Sequence, residues 1–305
     1  MASLKTIKNK SIKDAKRIVI KIGSSLIINN KTRNLNYQWM KSLAKNIDFL
    51  IKNKKEVLIV TSGAIALGKN ELNLNKQSLK LHEKQACAAT GQILLAKGWK
   101  EVFEKLSLKC AQILVGHSDL ETRRSAMNAR VTLNTLLKLN TIPVINENDT
   151  VATIEIRYGD NDQLAGRVAH LVGADLVILL SDVEGLYTGD PKRSKKVKFI
   201  SKVEEISEEI EKMAKNTKSF MASGGMATKI KAAKIALSGG CNLIISEGSQ
   251  TGGLLRLIEG GKCTLFKAKE NPQSARKKWI ASNRNKSKNI VIDNGAESAL
   301  ISGNS

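Results

Sequence analysis

Asn146-Glu147-Asn148-Asp149-Thr150-Val151-Ala152-Thr153-Ile154-Glu155-Ile156-Arg157-Tyr158-Gly159-Asp160-Asn161-Asp162 sets two bursts of short Asn and Asp side chains on either side of the Thr150 to Tyr158 segment. Such residues favour turns, because their side chains bond to nearby backbone, and they offer polar groups to small ligands. The apolar run Thr141 to Ile145 leads into the first burst, and a helical pattern from Leu164 to Val172 leads out of the second. A strand that ends in a polar turn and is followed by a helix is a unit of an α/β sheet. Both bursts then fall at one sheet edge, where open α/β sheets bind ligands.

The same unit recurs outward along the chain. Arg17-Ile18-Val19-Ile20-Lys21-Ile22 reads as a buried strand ending at Gly23-Ser24-Ser25. Further strands are expected at Val57 to Thr61, Cys110 to Val115, Leu176 to Leu180 and Asn242 to Ser246. Helical spacing marks Leu35 to Ile51, with Trp39, Leu43, Ile47 and Leu50 on one face, and then Leu79 to Leu106, Arg123 to Leu139 and Glu204 to Met213. One more helix opens at Ser223-Gly224-Gly225-Met226-Ala227-Thr228-Lys229, continues through Leu237 and stops at Gly239-Gly240; a short one is expected at Leu254 to Ile258. This alternation predicts an α/β fold with a mainly parallel sheet sandwiched between helices.

Composition narrows the function classes. A hydrophobic fraction of 42% over 305 residues supports a substantial core. No uncharged apolar run is long enough for a membrane span, and the lysine-rich start, Met1 to Lys16, is not followed by a signal-peptide pattern, so a cytoplasmic location is expected. Cys87, Cys110, Cys241 and Cys263 are widely spaced and have no histidine at ligand spacing; they read as reduced thiols, with no protein metal site. The net charge of +22 suits phosphate-bearing partners. Its lysines are scattered and aromatics make up only 4%, so no basic-aromatic stripe for nucleic acid is present.

Two features need weighing. Lys21 stands where a core residue is expected, just before a glycine turn; it is either a lysine snorkelling from an edge strand or a fixed cation aimed at phosphate. Gly63-x-x-x-x-Gly68-Lys69 matches most of a phosphate-binding loop, but Asn70 holds the place of the magnesium-binding Ser or Thr, and Ala64-Ile65-Ala66-Leu67 is a good helix former. A loop that wraps phosphate is not expected there.

Val19 to Ser25, Val60 to Ala66, Pro143 to Asp149, Gly159 to Asp162, Gly185-Leu186-Tyr187-Thr188 and Gly224 to Lys229, in that order, resemble the amino acid kinase family. The resemblance runs from about Arg17 to Lys278 and is closest to the branch whose acceptor is free glutamate. It implies an amino acid kinase-like fold and ATP-dependent phosphorylation of the γ-carboxylate of L-glutamate, the first step of proline synthesis. Related acceptors in the family are acetylglutamate, aspartate, carbamate and nucleoside monophosphates; an RNA-binding protein is the rival from another class.

By the same resemblance Lys21 and Lys229 stabilise the transition state and Asp162 orients them, although Asp162 also reads as a helix N-cap before Leu164. Ser62, Asp149 and Asn161 would hold glutamate, with Gly63 and Asn146 beside them. ATP falls to Lys21, Ser181, Asp182 and the loop Ser223, Gly224, Gly225, Met226, Ala227, Thr228 and Lys229, with Mg2+ bridged to the phosphates. Proline as feedback inhibitor, a homo-oligomer and coupling to a glutamyl phosphate reductase are also implied. The expected organisation is a basic extension over residues 1–16, a kinase domain over 17–270, and over 271–305 a linker with the incomplete start of a PUA-like domain, at Lys278-Trp279-Ile280 and Ile290 to Ala296.

Overall fold

The computed structural model describes residues 6–74, 76, 78–151, 160–191, 197–215, 225–275 and 295. In chain order the strands are β1 (Arg17–Ile22), β2 (Glu56–Val60), β3 (Lys109–Val115), β4 (Thr141–Glu147), β5 (Leu176–Ser181), β6 (Leu186–Tyr187), β7 (Phe199–Ile200), β8 (Lys202–Val203), β9 (Asn242–Glu247) and β10 (Thr264–Phe266). The helices are α1 (Lys10–Asp14), α2 (Ser24–Ile27), α3 (Tyr37–Lys52), α4 (Ala64–Glu71), α5 (Leu81–Glu104), α6 (His117–Glu121), α7 (Arg123–Lys138), α8 (Asp160–Val172), α9 (Glu208–Lys215), α10 (Met226–Ser238) and α11 (Gly253–Ile258). A short 3-10 turn, Asp149–Val151, follows β4.

The main sheet has eight strands in the order β3-β4-β2-β1-β5-β9-β10-β8. All neighbours from β3 to β9 pair in parallel; β10 alone runs antiparallel to β9. The carboxyl ends of six parallel strands therefore share one edge. Helices cover both faces because the strand alternation is apolar on both. Ile18, Ile20 and Ile22 of β1 pack on one side with Met40 and Ile47 of α3 and Leu95, Trp99 and Phe103 of α5. Val19 packs on the other with Val168 and Ala169 of α8 and Ala232, Ala233 and Ala236 of α10. Each fully buried isoleucine contributes roughly 1.5–3 kcal/mol. At the far end of the sheet, the Asp175 carboxylate accepts from the backbone N–H of Lys16 and of Arg17, both at 2.8 Å.

The expected strands and long helices are present, with ends displaced by a few residues. The charged helix begins at Glu208 rather than Glu204, because Lys202 and Val203 pair with Leu265 and Phe266 as an edge of the sheet. The basic start is packed rather than detached where it is described, with Ile7 and Ile12 buried and the N–H groups of Lys8 and Asn9 bonded to Ile258 O. The PUA-like segments, at 278–280 and 290–296, lie outside the described residues apart from Gly295. Among the described residues no helix is long and apolar enough to cross a membrane.

The Gly63 to Lys69 stretch resolves into α4, which crosses α5 at backbone contact between Ala64 and Gly68. A Cβ on Gly68 would stand 1.8 Å from Cys87 O, and one on Gly91 would stand 1.9 Å from Ala64 O. These glycines pack two helices together; they do not wrap phosphate. We expect Gly91→Ala to lower the unfolding free energy by about 3 kcal/mol, because a backbone must move to admit the methyl. Gly98→Ala, which meets only the tip of the Leu35 side chain, should cost less than about 1 kcal/mol, as read by denaturant unfolding.

Candidate active site

Lys21 pairs across the sheet with Val60 and Leu179, one residue from the end of the central strand β1. Two-residue alternation puts it on the face of Val19, where α8 and α10 lie. Both helices bring their first turns to it. Asp162 is fully buried; its Oδ1 is 2.6 Å from Lys21 Nζ and its Oδ2 is 3.1 Å from Lys229 Nζ. The Thr228 hydroxyl lies 3.2 Å from the same Oδ2 and shares its one proton between that oxygen and Gly225 O. Lys21 and Lys229 are themselves only 5% and 4% exposed, so Lys21 is a central-strand cation and not one snorkelling from an edge.

These three groups together carry a net positive charge, next to the carboxyl ends of the strands. Burial holds the Lys21 ammonium below its ordinary value, with Asp162 opposing that and Lys229 adding to it. Burial also disfavours the Asp162 carboxylate, but the two lysines outweigh it and hold Asp162 below the usual range. The helix begins at Asp160, earlier than the pattern from Leu164 indicated, so Asp162 lies inside the first turn and is not the cap. A carboxylate there also meets the favourable end of the helix dipole.

Asn161, adjacent in α8, serves a different network. Its Nδ2 stands 2.7 Å from Ser62 Oγ, 3.0 Å from Thr61 O and 3.2 Å from Asn146 Oδ1, so its two hydrogens serve three acceptors with one of them shared. Asn146 Nδ2 in turn donates to Gln92 Oε1 of α5 at 2.8 Å. Asn161 Oδ1 is buried with no hydrogen-bond partner among the described residues. Gly63, at the entry to α4, has φ of 112°, a left-handed turn that a side chain would strain. Ser62, Gly63, Asn146 and Asn161 are thereby brought together. Asp149, on the 3-10 turn after β4, lines a cleft of about 280 Å³ with Ala88, Gln92, Gln112, Glu147 and Asn148, and Gln92, through its bond to Asn146, joins that cleft to the four. Burial pushes the Asp149 carboxyl up to about 6.

On the nucleotide side of the sequence reading, Ser181 ends β5 and donates to Asp182 Oδ1 at 3.0 Å. Gly225 caps α10 and its carbonyl accepts from Thr228 Oγ1 at 2.7 Å. The Met226 side chain packs into the core, so its backbone is what it presents outward. Ser223 and Gly224 lie outside the described residues. Among the described residues no group of three or more His, Cys, Asp or Glu side chains is placed to hold a metal.

Gln92 escaped the sequence reading. Its signal was an amide, like Gln85 seven residues earlier, at helical spacing among Ala88, Leu95 and Trp99, all of which are buried on α5.

Residues 16–246 match the amino acid kinase family. The chain belongs to the amino acid kinase family. Glutamate 5-kinases of Brucella ovis and Brucella abortus are each 49% identical over 296 residues, which is 97% of this chain and 78% of those proteins. UMP kinase from Ureaplasma parvum superimposes with a TM-score of 0.57 at 18% identity, over 83% of this chain and 98% of its own. Carbamate kinase from Giardia lamblia, bound to AMP-PNP, superimposes with a TM-score of 0.58 at 16% identity, over 84% of this chain and 99% of its own. At such identities these two structures show the family's fold alone.

Removing the carboxylate leaves two buried ammonium groups facing each other. Asp162→Asn should therefore lower stability by roughly 3 kcal/mol at neutral pH. Lys21 already sheds its proton more readily than an exposed lysine, and does so further once Asp162 is gone. The folded variant then binds fewer protons than the unfolded chain, so its deficit should shrink as pH rises. Urea unfolding from pH 7 to 9.5 checks the sign.

Proposed function

We propose that this chain transfers the terminal phosphoryl group of ATP to the γ-carboxylate of L-glutamate, giving L-glutamyl 5-phosphate and ADP. The observation that carries this reading is Asp162 held between Lys21 and Lys229 at the carboxyl edge of the sheet. A carboxylate oxygen of glutamate forms a bond to the γ-phosphorus while the bond from phosphorus to the bridging oxygen of ADP breaks. Charge spreads over the transferring oxygens in such a transition state, and preorganised cations stabilise it. Lys21 and Lys229 supply those cations, and Asp162 fixes both ammonium positions before substrates arrive. No general base is needed, since the acceptor is ionised at neutral pH.

The acceptor end is assigned to Ser62, Gly63, Asn146, Asp149 and Asn161. Asp149, and the buried acceptor Asn161 Oδ1 that has no partner among the described residues, suit an ammonium group. The phosphate end is assigned to Ser181, Asp182 and the loop Ser223 to Lys229 with Lys21. Mg2+ would accompany ATP and would neutralise charge on its phosphates. Inhibition by proline, a homo-oligomer, a supply of product to a glutamyl phosphate reductase, a cytoplasmic location and the proline pathway complete the proposal. Its domain plan is a kinase unit over 17–270, preceded by a basic start and followed by a PUA-like beginning.

An ATP-consumption assay across acceptors, with hydroxylamine to trap acyl phosphate, should show turnover of L-glutamate and little of acetylglutamate; the reverse preference overturns the acceptor. Lys229→Ala should lower kcat roughly 10²–10³-fold while the folding transition persists, because Lys21 still pairs Asp162.

The pH dependence of glutamate capture follows from Asp149. Its carboxylate is charged above about 6 and becomes protonated as pH falls through that value. The kcat/KM for glutamate should therefore drop below pH about 6, and Asp149→Asn should flatten that limb while lowering kcat/KM at pH 8. The same burial disfavours the ionised folded state, so Asp149→Asn should leave the unliganded protein at least as stable at pH 8.

A further inference from the structure

Gln92 extends the acceptor site beyond the residues assigned to it above. The direction of every hydrogen bond in the amide chain is set by one backbone group. Thr61 O can only accept, so the Asn161 side-chain group that reaches it at 3.0 Å is the amide nitrogen. That nitrogen also meets Asn146 at 3.2 Å, so Asn146 presents its oxygen there and its nitrogen on the other side. Asn146 Nδ2 then meets Gln92 at 2.8 Å, so Gln92 presents Oε1 to it. Among the described residues the Gln92 amide nitrogen, which can only donate, has no partner.

The same side chain lines the cleft that holds Asp149 and, at the end of β4, Glu147. One wall thus combines an amide N–H donor of fixed sense with a carboxylate that suits a cation. An α-amino acid head group has the complementary pair, a carboxylate and an ammonium. We propose that Gln92 is a specificity-determining residue that donates its Nε2–H to the α-carboxylate of the acceptor while Asp149 takes the α-ammonium. This rests on the glutamate reading of the site. A donor–carboxylate bond in a partly buried cleft is a charge-assisted one, and losing it costs about tenfold or more in binding.

Gln92→Glu keeps an oxygen for Asn146 Nδ2 and replaces the donor with a negative charge. Gln92→Met keeps the length of the side chain and removes both hydrogen bonds. The acceptors compared are L-glutamate and its α-carboxamide, which is neutral at that end and brings N–H donors of its own. In both variants KM for L-glutamate should rise at least about tenfold, with kcat and KM for ATP within about twofold. In Gln92→Glu the preference for L-glutamate over the α-carboxamide, as a ratio of kcat/KM, should fall at least about tenfold.

Gln92→Glu behaving like the unaltered enzyme, with only Gln92→Met impaired, would mean that Gln92 merely props Asn146, and overturns the proposal. So does an unchanged preference ratio in Gln92→Glu, or a KM for L-glutamate in Gln92→Met within about twofold of the unaltered enzyme. Absence of L-glutamate turnover by the unaltered enzyme is a separate outcome, which overturns the acceptor assignment itself.

Discussion

Burying a carboxylate and two ammonium groups in the middle of an α/β sandwich costs several kcal/mol per ion before any pairing. Asp162 offsets much of that cost only because Lys21 and Lys229 reach its two oxygens separately, at 2.6 Å and 3.1 Å. That arrangement constrains three elements at once. β1 must be central, so that Lys21 is buried by β2 and β5 on either side, and α8 and α10 must pack side by side on the Val19 face. The cluster contributes little to stability by itself. What it provides is a pair of cations that cannot relax away from one another, and an excess of positive charge where the strands end.

Two chemical environments meet at α8. Consecutive residues of a helix point about 100° apart. Asp162 therefore turns toward the lysines while Asn161, its neighbour, turns toward Thr61, Ser62 and Asn146. One side is dominated by charge, the other by neutral amides of fixed polarity, with Glu147 and Asp149 lining the adjoining cleft and Asp149 held back from ionising by its burial. A shift of the first turn of α8 would alter both together, which ties the placement of an acceptor carboxylate to the placement of the cations that act on phosphate.

The close crossing of α4 and α5 belongs to the same design. Gly68 and Gly91 let the two helices touch backbone to backbone, and Gln92 is the next residue along α5. Had either glycine carried a Cβ, the helices would separate and the reach from Gln92 to Asn146 would open. The pair Gly63 and Gly68 resembles a phosphate-binding loop in sequence, but only Gly63 serves a turn; Gly68 serves packing.

Periodicity and residue type were enough to find the parallel sheet, the long helices and the anomaly of Lys21, because strand and helix periods are local and a lysine in a β-branched run is conspicuous; the grouping of Lys21 with Asp162 and Lys229 came only from the resemblance to the amino acid kinase family. The position of α9 was not legible, since β8 pairs with β10 across some sixty residues of chain and nothing near Lys202 reveals its partner. The role of Asp162 stayed divided between cap and ion pair until the start of α8 was seen. Gln92 looked like one polar residue on a long helix. Its donor sense depends on Asn146, Asn161 and Thr61, which lie on three other parts of the chain. Sequence by itself therefore determined which elements form and which residues carry unusual chemistry. Only tertiary structure decided which of them share hydrogen bonds and in which direction, because donor and acceptor senses are settled by partners brought together through folding.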